Sequence, residues 1–415
     1  MSSSVSNYVD GDRLWRRLMN LAEFGATGRG GVSRLALSGE EIAARAELVR
    51  WGEQIGLDAF IDDAANLFLR LEGEQPDLPP ILMGSHIDTQ PTGGKFDGAY
   101  GVVAGIESLH AIAQSGRRPR RSIVVAAWMN EEGSRFAPGM MGSAVFTRMR
   151  KFEDIVRVTD NRGCSVREAI DIVLAAEKHL PRRSIGFPVA GYLEAHIEQG
   201  PKLEANGKTI GVVTGIQGKR TFRVEVQGEE SHAGTSPRSE RRDALVSAVA
   251  IVDALQQAMW DKEDTVRFTI GSFTVGPNAP SVVPARVLFS IDLRHHSASL
   301  VRDLGDQIAE ICQQARGKCQ VKVQELLNDP PLLFPEAVRE RIASAAQRLG
   351  FSHEAIASPA GHDARYLHYV CPTGMIFIPC KEGISHNEAE SITPLDAEAG
   401  ARVLAEVAFE LAEQP

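Results

Sequence analysis

Cysteine is scarce in this chain of 415 residues, and no apolar run approaches the roughly 20 residues that a bilayer span requires. The second absence gives no indication of a membrane-spanning helix. The five cysteines (Cys164, Cys312, Cys319, Cys371, Cys380) are odd in number and scattered, with no C-x-x-C pair. They form neither a disulfide framework nor a zinc knuckle, and they fit a reducing compartment. The opening MSSSVSNYVDGDRLW lacks the basic start and apolar core of a secretory signal, so a cytoplasmic location is expected. Net positive charge is also lacking: the balance is −9, which argues against nucleic acid as a partner. The basic run Arg117, Arg118, Arg120 and Arg121 reads as a solvated loop. Phosphate-loop signatures are missing too. GATGRGG (25–31) has no G-K-[ST] ending and GAYGVVAG (98–105) does not fit G-x-G-x-x-G, so nucleotide binding is not expected.

What is present is an ordinary globular composition, 43% hydrophobic and 24% charged, on a chain too long for one core. Two domains are expected. Residues 40–56 have the spacing of an amphipathic helix that stops at a glycine. The apolar segments ILMGSHIDT (81–89) and SIVVAAWMNEE (122–132) flank a helical pattern, which predicts strand, helix, strand. Near-continuously apolar strands in that order predict an α/β domain with a mixed, largely parallel sheet covered by helices. Ligands in such a sheet gather at the carboxyl ends of the strands. After about residue 212 the pattern changes to strands of alternating polarity. The order β-α-β-β-α-β predicts an inserted ferredoxin-like α+β domain over 213–329, with 1–212 and 330–415 forming one discontinuous domain around the first sheet.

Four polar clusters stand at element ends: H-I-D-T (86–89) with G-G-K-F-D-G (93–98), N-E-E-G (130–133), A-H-I-E-Q-G-P (195–201) and I-S-H-N-E (384–388). His86 and Asp97 can converge on one ion, and Asp97 can bridge two. Asp88 is expected to accept the other ring N–H of His86 and fix its tautomer. Glu131 and Glu132 are adjacent carboxylates, costly unless a cation or proton separates them; a metal would take one and leave the other as a general base. The same pair also suits a helix start, where acids meet the positive end of the dipole. Each histidine alone reads more readily as a satisfied core or surface residue than as a ligand. Three histidines and two carboxylates together match the ligand preferences of zinc, manganese, cobalt or nickel.

These blocks, with LEAHIEQGPKLE, IGVVTGIQG, SHAGTSP, GHDARYL and IFIPCKEGISHNEAE, resemble a family of dinuclear metal amidohydrolases over nearly the whole chain. It includes N-carbamoyl-L-amino-acid hydrolase, β-ureidopropionase and allantoate amidohydrolase, within the M20 metallopeptidase-like superfamily. The resemblance implies that His86 and His196 hold one ion, Glu132 and His386 the other, and that Asp97 bridges them. It further implies Glu131 as general base, His232 as the lid-domain histidine on the oxyanion, and Arg294 as a clamp on the substrate carboxylate. Arg294 also fits an ordinary strand-end ion pair. Gln199, Asn278, Gly361 and His362 are implied as further substrate contacts, and the inserted domain as a lid and homodimer interface.

The expected activity is hydrolysis of a carbamoyl C–N bond in an N-carbamoyl-L-amino acid, giving amino acid, carbon dioxide and ammonia. Allantoate or β-ureidopropionate is an alternative small-molecule substrate; dipeptides or N-acyl amino acids are a second. A metal-binding protein without activity is the remaining possibility, opposed by the unliganded Glu131. Two departures bear on the substrate: Ser281-Val282-Val283-Pro284 stands where the family has N-V-[IV]-P, and Pro237-Arg238-Ser239 replaces a proline-methionine.

Overall fold

The computed structural model describes residues 4–415. The chain divides into two compact units: Met1–Thr214 with Phe334–Ile356 and Gly361–Pro415, and Gly215–Leu333 with Ala357–Ala360. The second unit thus gains Ala357–Ala360 from a distant part of the chain, which no local pattern in the sequence signals.

In the first unit four strands are buried along their whole length: Ile81–His86, Ile123–Trp128, Gly191–Ile197 and Thr373–Ile378. Ile81–His86 pairs in parallel with both Ile123–Trp128 and Gly191–Ile197, and Thr373–Ile378 pairs in parallel with Gly191–Ile197. Their carboxyl ends therefore share one edge of the sheet. Antiparallel strands flank them, Leu67–Leu71 beside Ile123–Trp128 and Ile210–Ile216 beside Thr373–Ile378. Burial on both faces explains why these segments carry no alternation of polarity.

The helix Ala99–Gln114 buries nearly its entire surface between the sheet and the C-terminal helix Pro394–Ala412. The latter starts where Thr393 accepts the Asp396 N–H, with proline in the first turn, a favoured opening. The expected helix at 40–56 spans Gly39–Gln54, capped by the Ser38 hydroxyl on the Glu41 N–H. Its Arg45 is sealed inside the unit. The guanidinium donates to both Glu177 oxygens at 2.6 and 2.7 Å and to the Ala65 carbonyl at 2.8 Å.

In the second unit, Gly218–Gln227 is flanked by Arg286–His295 and Gln320–Asp329, all antiparallel. Two short strands, Arg267–Thr269 and Phe273–Gly276, both pair with the other side of Arg286–His295. The strand order is that of a ferredoxin-like sheet, fourth, first, third, second. Helices Ala244–Met259 and Ala298–Ala315 pack on it and on each other. They close a core of Phe222, Val224, Ile251, Leu255, Phe289, Ile291 and Ile308. Alternating burial along Gly218–Gln227 and Arg286–His295 follows from one covered face.

Candidate metal centre

Each candidate ligand in the first unit stands on or just beyond a strand of the central sheet, or on a loop folded back over its edge. His86 ends its strand, His196 is the penultimate residue of its own, and Glu131 and Glu132 follow Ile123–Trp128. Asp97 belongs to the loop between His86 and the helix Ala99–Gln114, and His386 to the loop before the C-terminal helix.

The side chains meet in two triads. His86, Asp97 and His196 offer ligand atoms within 4.8 Å of one another, and so do Asp97, Glu132 and His386. Asp97 serves both, one oxygen to each side: Oδ1 is 3.3 Å from His196 Nε2 and 4.0 Å from His86 Nε2, while Oδ2 is 3.2 Å from His386 Nε2. Glu132 Oε2 is 3.3 Å from His386 Nε2 and accepts from Gln90 Nε2 at 2.8 Å. His86 Nδ1 and His196 Nδ1 each lie 2.9 Å from a backbone carbonyl, Asp88 and Ile197 respectively. Only a protonated Nδ1 can donate there, so in the neutral rings Nε2 is the lone-pair atom turned toward the centre, and that of His196 is 3.3 Å from the Gly98 N–H. Imidazole and carboxylate donors in two groups of three, sharing one carboxylate, fit two divalent ions of the zinc, manganese, cobalt or nickel kind.

The expected role of Asp88 is redistributed. Its backbone carbonyl takes the His86 ring N–H, while the carboxylate, 3.5 Å from that nitrogen, accepts from the Glu131 and Glu132 N–H groups at 3.1 and 3.2 Å. One residue therefore orients His86 and anchors the segment that carries both glutamates. Gly98 is required as glycine. Its φ is +64°, and a Cβ there would lie 2.4 Å from the His86 ring.

Electrostatics separates the carboxylates. Burial pushes the Glu131 carboxyl well above its ordinary range; the neighbouring His86 opposes this, and Asp363, Glu132 and Asp88 reinforce it. Burial likewise raises Glu132 to about 7, helped by Asp97. Burial alone would raise Asp97 too, yet His386, His196 and His86 hold it below the carboxylate range. The Asp97 hydrogen bond lifts His386 to about 9, whereas burial lowers His196 to about 4. The Glu131 Oε2 atom lies 3.6 Å from His86 Nε2 and outside both triads.

Gln199 and His362 also stand at this centre. Gln199 Nε2 donates to Asp97 Oδ2 at 2.9 Å, and its buried Oε1 has no hydrogen-bond partner among the described residues. The His362 ring packs edge-on against His196 with centroids 4.5 Å apart, next to Gly361. In the second unit His232 is exposed, and its Nδ1 accepts from the Gly234 and Thr235 N–H groups at 3.0 and 3.2 Å. The hydrogen is thereby fixed on Nε2, as an oxyanion donor requires. The segment beginning at Ser281 runs beside it: Val282 pairs with His232, and the Ser281 carbonyl accepts the Ala233 N–H. Asn278 is exposed at φ +58°. The Arg294 fork is engaged by Asp292, Nε to Oδ1 at 2.7 Å and Nη2 to Oδ2 at 3.1 Å, and Nη1 reaches the Pro359 carbonyl at 3.2 Å. This is the ion pair that the sequence left open beside the clamp.

Sequence reasoning missed several residues that shape this centre, among them Asp363, beside Glu131, and Glu194, whose carboxylate lies within 4.8 Å of ligand atoms of His196 and His362. Gln90 holds Glu132. Glu390 and Ser385 hold the Asp97 loop. Arg34 is fully buried and binds the Ile87 carbonyl through Nε at 2.7 Å. A buried acid or arginine carries no local pattern; the one available signal was the second glutamate in SHNEAE.

Residues 82–410 match the profile of Peptidase family M20/M25/M40, and the chain belongs to that family. It is 36% identical to an N-carbamoyl-L-amino-acid amidohydrolase of Rhizobium meliloti over 98% of this chain and 97% of that protein. It is 33% identical to an allantoate amidohydrolase of Bacillus subtilis, over 99% and 98%. A crystal structure of an amidase of the hydantoinase/carbamoylase family from Burkholderia vietnamiensis superposes with a TM-score of 0.87 at 40% identity, covering 98% of each chain. The fold is the one those proteins share, and the chain is a hydrolase of C–N bonds.

Proposed function

We propose that this chain hydrolyses the carbamoyl C–N bond of an N-carbamoyl-L-amino acid, releasing the amino acid, carbon dioxide and ammonia. The observation that carries the reading is the pair of ligand triads sharing Asp97, with the Glu131 carboxylate beside them and belonging to neither. Full-length similarity to amidohydrolases named for carbamoyl amino acids supports the substrate class, and similarity to one named for allantoate keeps that ureido acid as the second candidate.

His86, His196 and Asp97 would hold one cation, and Glu132, His386 and Asp97 the other. When bound, such ions supply Lewis acidity and lower the pKa of coordinated water. Glu131 accepts the proton of the attacking water at a carboxylate oxygen and returns it to the departing nitrogen, a task suited to a carboxyl whose pKa burial has raised. His232 donates from Nε2 to the carbonyl oxygen as charge develops on it. Gln199 offers its unpartnered Oε1 to the ureido N–H groups. Asn278, Gly361 and His362 contribute further polar contacts. Arg294 binds the substrate carboxylate by exchanging it for Asp292, since both compete for one planar fork.

The reading extends to a cytoplasmic homodimer that acts on small molecules, not on nucleic acid or membranes. Among the described residues no helix is long and apolar enough to cross a bilayer. Exposed Val246 and Val249 on the helix Ala244–Met259 support the second unit as the dimer surface.

The deciding experiment offers metal-loaded protein N-carbamoyl-L-amino acids, allantoate, β-ureidopropionate, dipeptides and N-acetyl amino acids, with metal analysis of the same sample. Ammonia from carbamoyl amino acids is expected. Turnover of dipeptides with none of any ureido compound would move the assignment to a peptidase.

A further inference from the structure

Glu390 lies four residues beyond His386, is 4% exposed, and belongs to neither ligand triad. Its Oε1 accepts two consecutive backbone N–H groups of the other ligand loop, Phe96 at 2.9 Å and Asp97 at 3.0 Å. Its Oε2 is 2.9 Å from Ser385 Oγ, which also lies 3.3 Å from Asp97 Oδ2. The hydroxyl has one hydrogen, and the shorter contact marks its main acceptor. The loop closes tightly over this carboxylate: a Cβ on Gly94 would fall 2.1 Å from Glu390 Oε1, so no side chain fits there.

The two triads do not depend equally on this arrangement. His86 and His196 stand on the ends of buried strands, their rings held by the Asp88 and Ile197 carbonyls. Asp97 and His386 stand on the two loops that Glu390 joins, so the outer triad has only Glu132 anchored elsewhere. On the reading of these triads as cation sites, we propose that Glu390 is a positioning residue that pins the Asp97 loop to the His386 loop. It sets the affinity of the outer cation position, Asp97, Glu132 and His386, more than that of the inner one.

The test is calorimetric titration of the stripped full-length protein with Co²⁺, for wild type, Glu390→Ala, Glu390→Asp and Glu390→Gln, with circular dichroism to establish folding. Glu390→Gln keeps an acceptor oxygen for Phe96 and Asp97 and an amide for Ser385. Glu390→Asp keeps a carboxyl group but is one methylene short. The expected result is two ions on wild type and on Glu390→Gln, with similar affinities. In the Ala and Asp variants of Glu390 the outer site, identified as the one that Glu132→Ala also weakens, should lose about 10–100-fold while the other changes little, the usual scale for a residue that orients a ligand. Equal loss at both sites, or no loss in folded Ala and Asp variants, would overturn the proposal while leaving the metal centre standing. A wild type that takes up no Co²⁺ would remove both.

Discussion

Glu131 and Glu132 are chemically identical neighbours, and the backbone turns their carboxylates to different tasks. Glu132 faces His386 and Asp97, with Gln90 bracing one oxygen; Glu131 faces His86 and the buried Asp363. Replacing Glu131 with Gln preserves its volume and removes only its ability to accept a proton. Turnover of the best substrate should fall by about 10²–10⁴-fold while the protein keeps the metal content of the wild type. A Gln variant with unimpaired turnover would deny Glu131 the role of base. Replacing Asp97 would act in the opposite way, since its two oxygens serve both triads.

At the level of elements, strands carry the two inner candidate histidines, His86 and His196, and loops carry Asp97, Glu132 and His386, and this division also governs what the sequence revealed. The apolar runs ending in His86 and in Glu131-Glu132 were legible because a strand buried on both faces has to be apolar, so a polar group at its end stands out. The chain order of the second unit was legible from alternation, which one covered face imposes. The Arg294–Asp292 pair was not decided by sequence, because residues two apart on a strand share a face whether or not they pair. Nor was the Arg45–Glu177 pair, whose partners are separated by 132 positions. That pair joins the helix Gly39–Gln54 to the end of the helix Val166–Ala176 and is 1% and 5% exposed. Glu177→Ala would leave the guanidinium charge buried with only the Ala65 carbonyl as a direct hydrogen-bond partner. Urea unfolding should show a loss of about 3–5 kcal/mol. A loss below about 1 kcal/mol would mean that the pair behaves like an exposed one.

For the whole molecule, cations that bind only the folded chain must stabilise it. A site held at 100 times its Kd contributes about 2.7 kcal/mol. Removing metal with a chelator should therefore lower the melting temperature, and hydrogen exchange should locate the effect. Amides of the loops around Asp97 and His386 should exchange faster, while those of Gly218–Gln227 in the second unit hold steady. Uniform acceleration across both units would show that the ions stabilise the fold as a whole and not one centre within it.

The two triads also meet water on different terms. The His386 side chain is 49% exposed, whereas His86 and His196 are 2% and 1% exposed. Were both triads occupied, competing ions and small chelators would reach the His386 side before the other. A gently stripped preparation would consist of molecules with a single trapped ion, and exchanging the metal would be a sequence of two departures, the second much slower than the first.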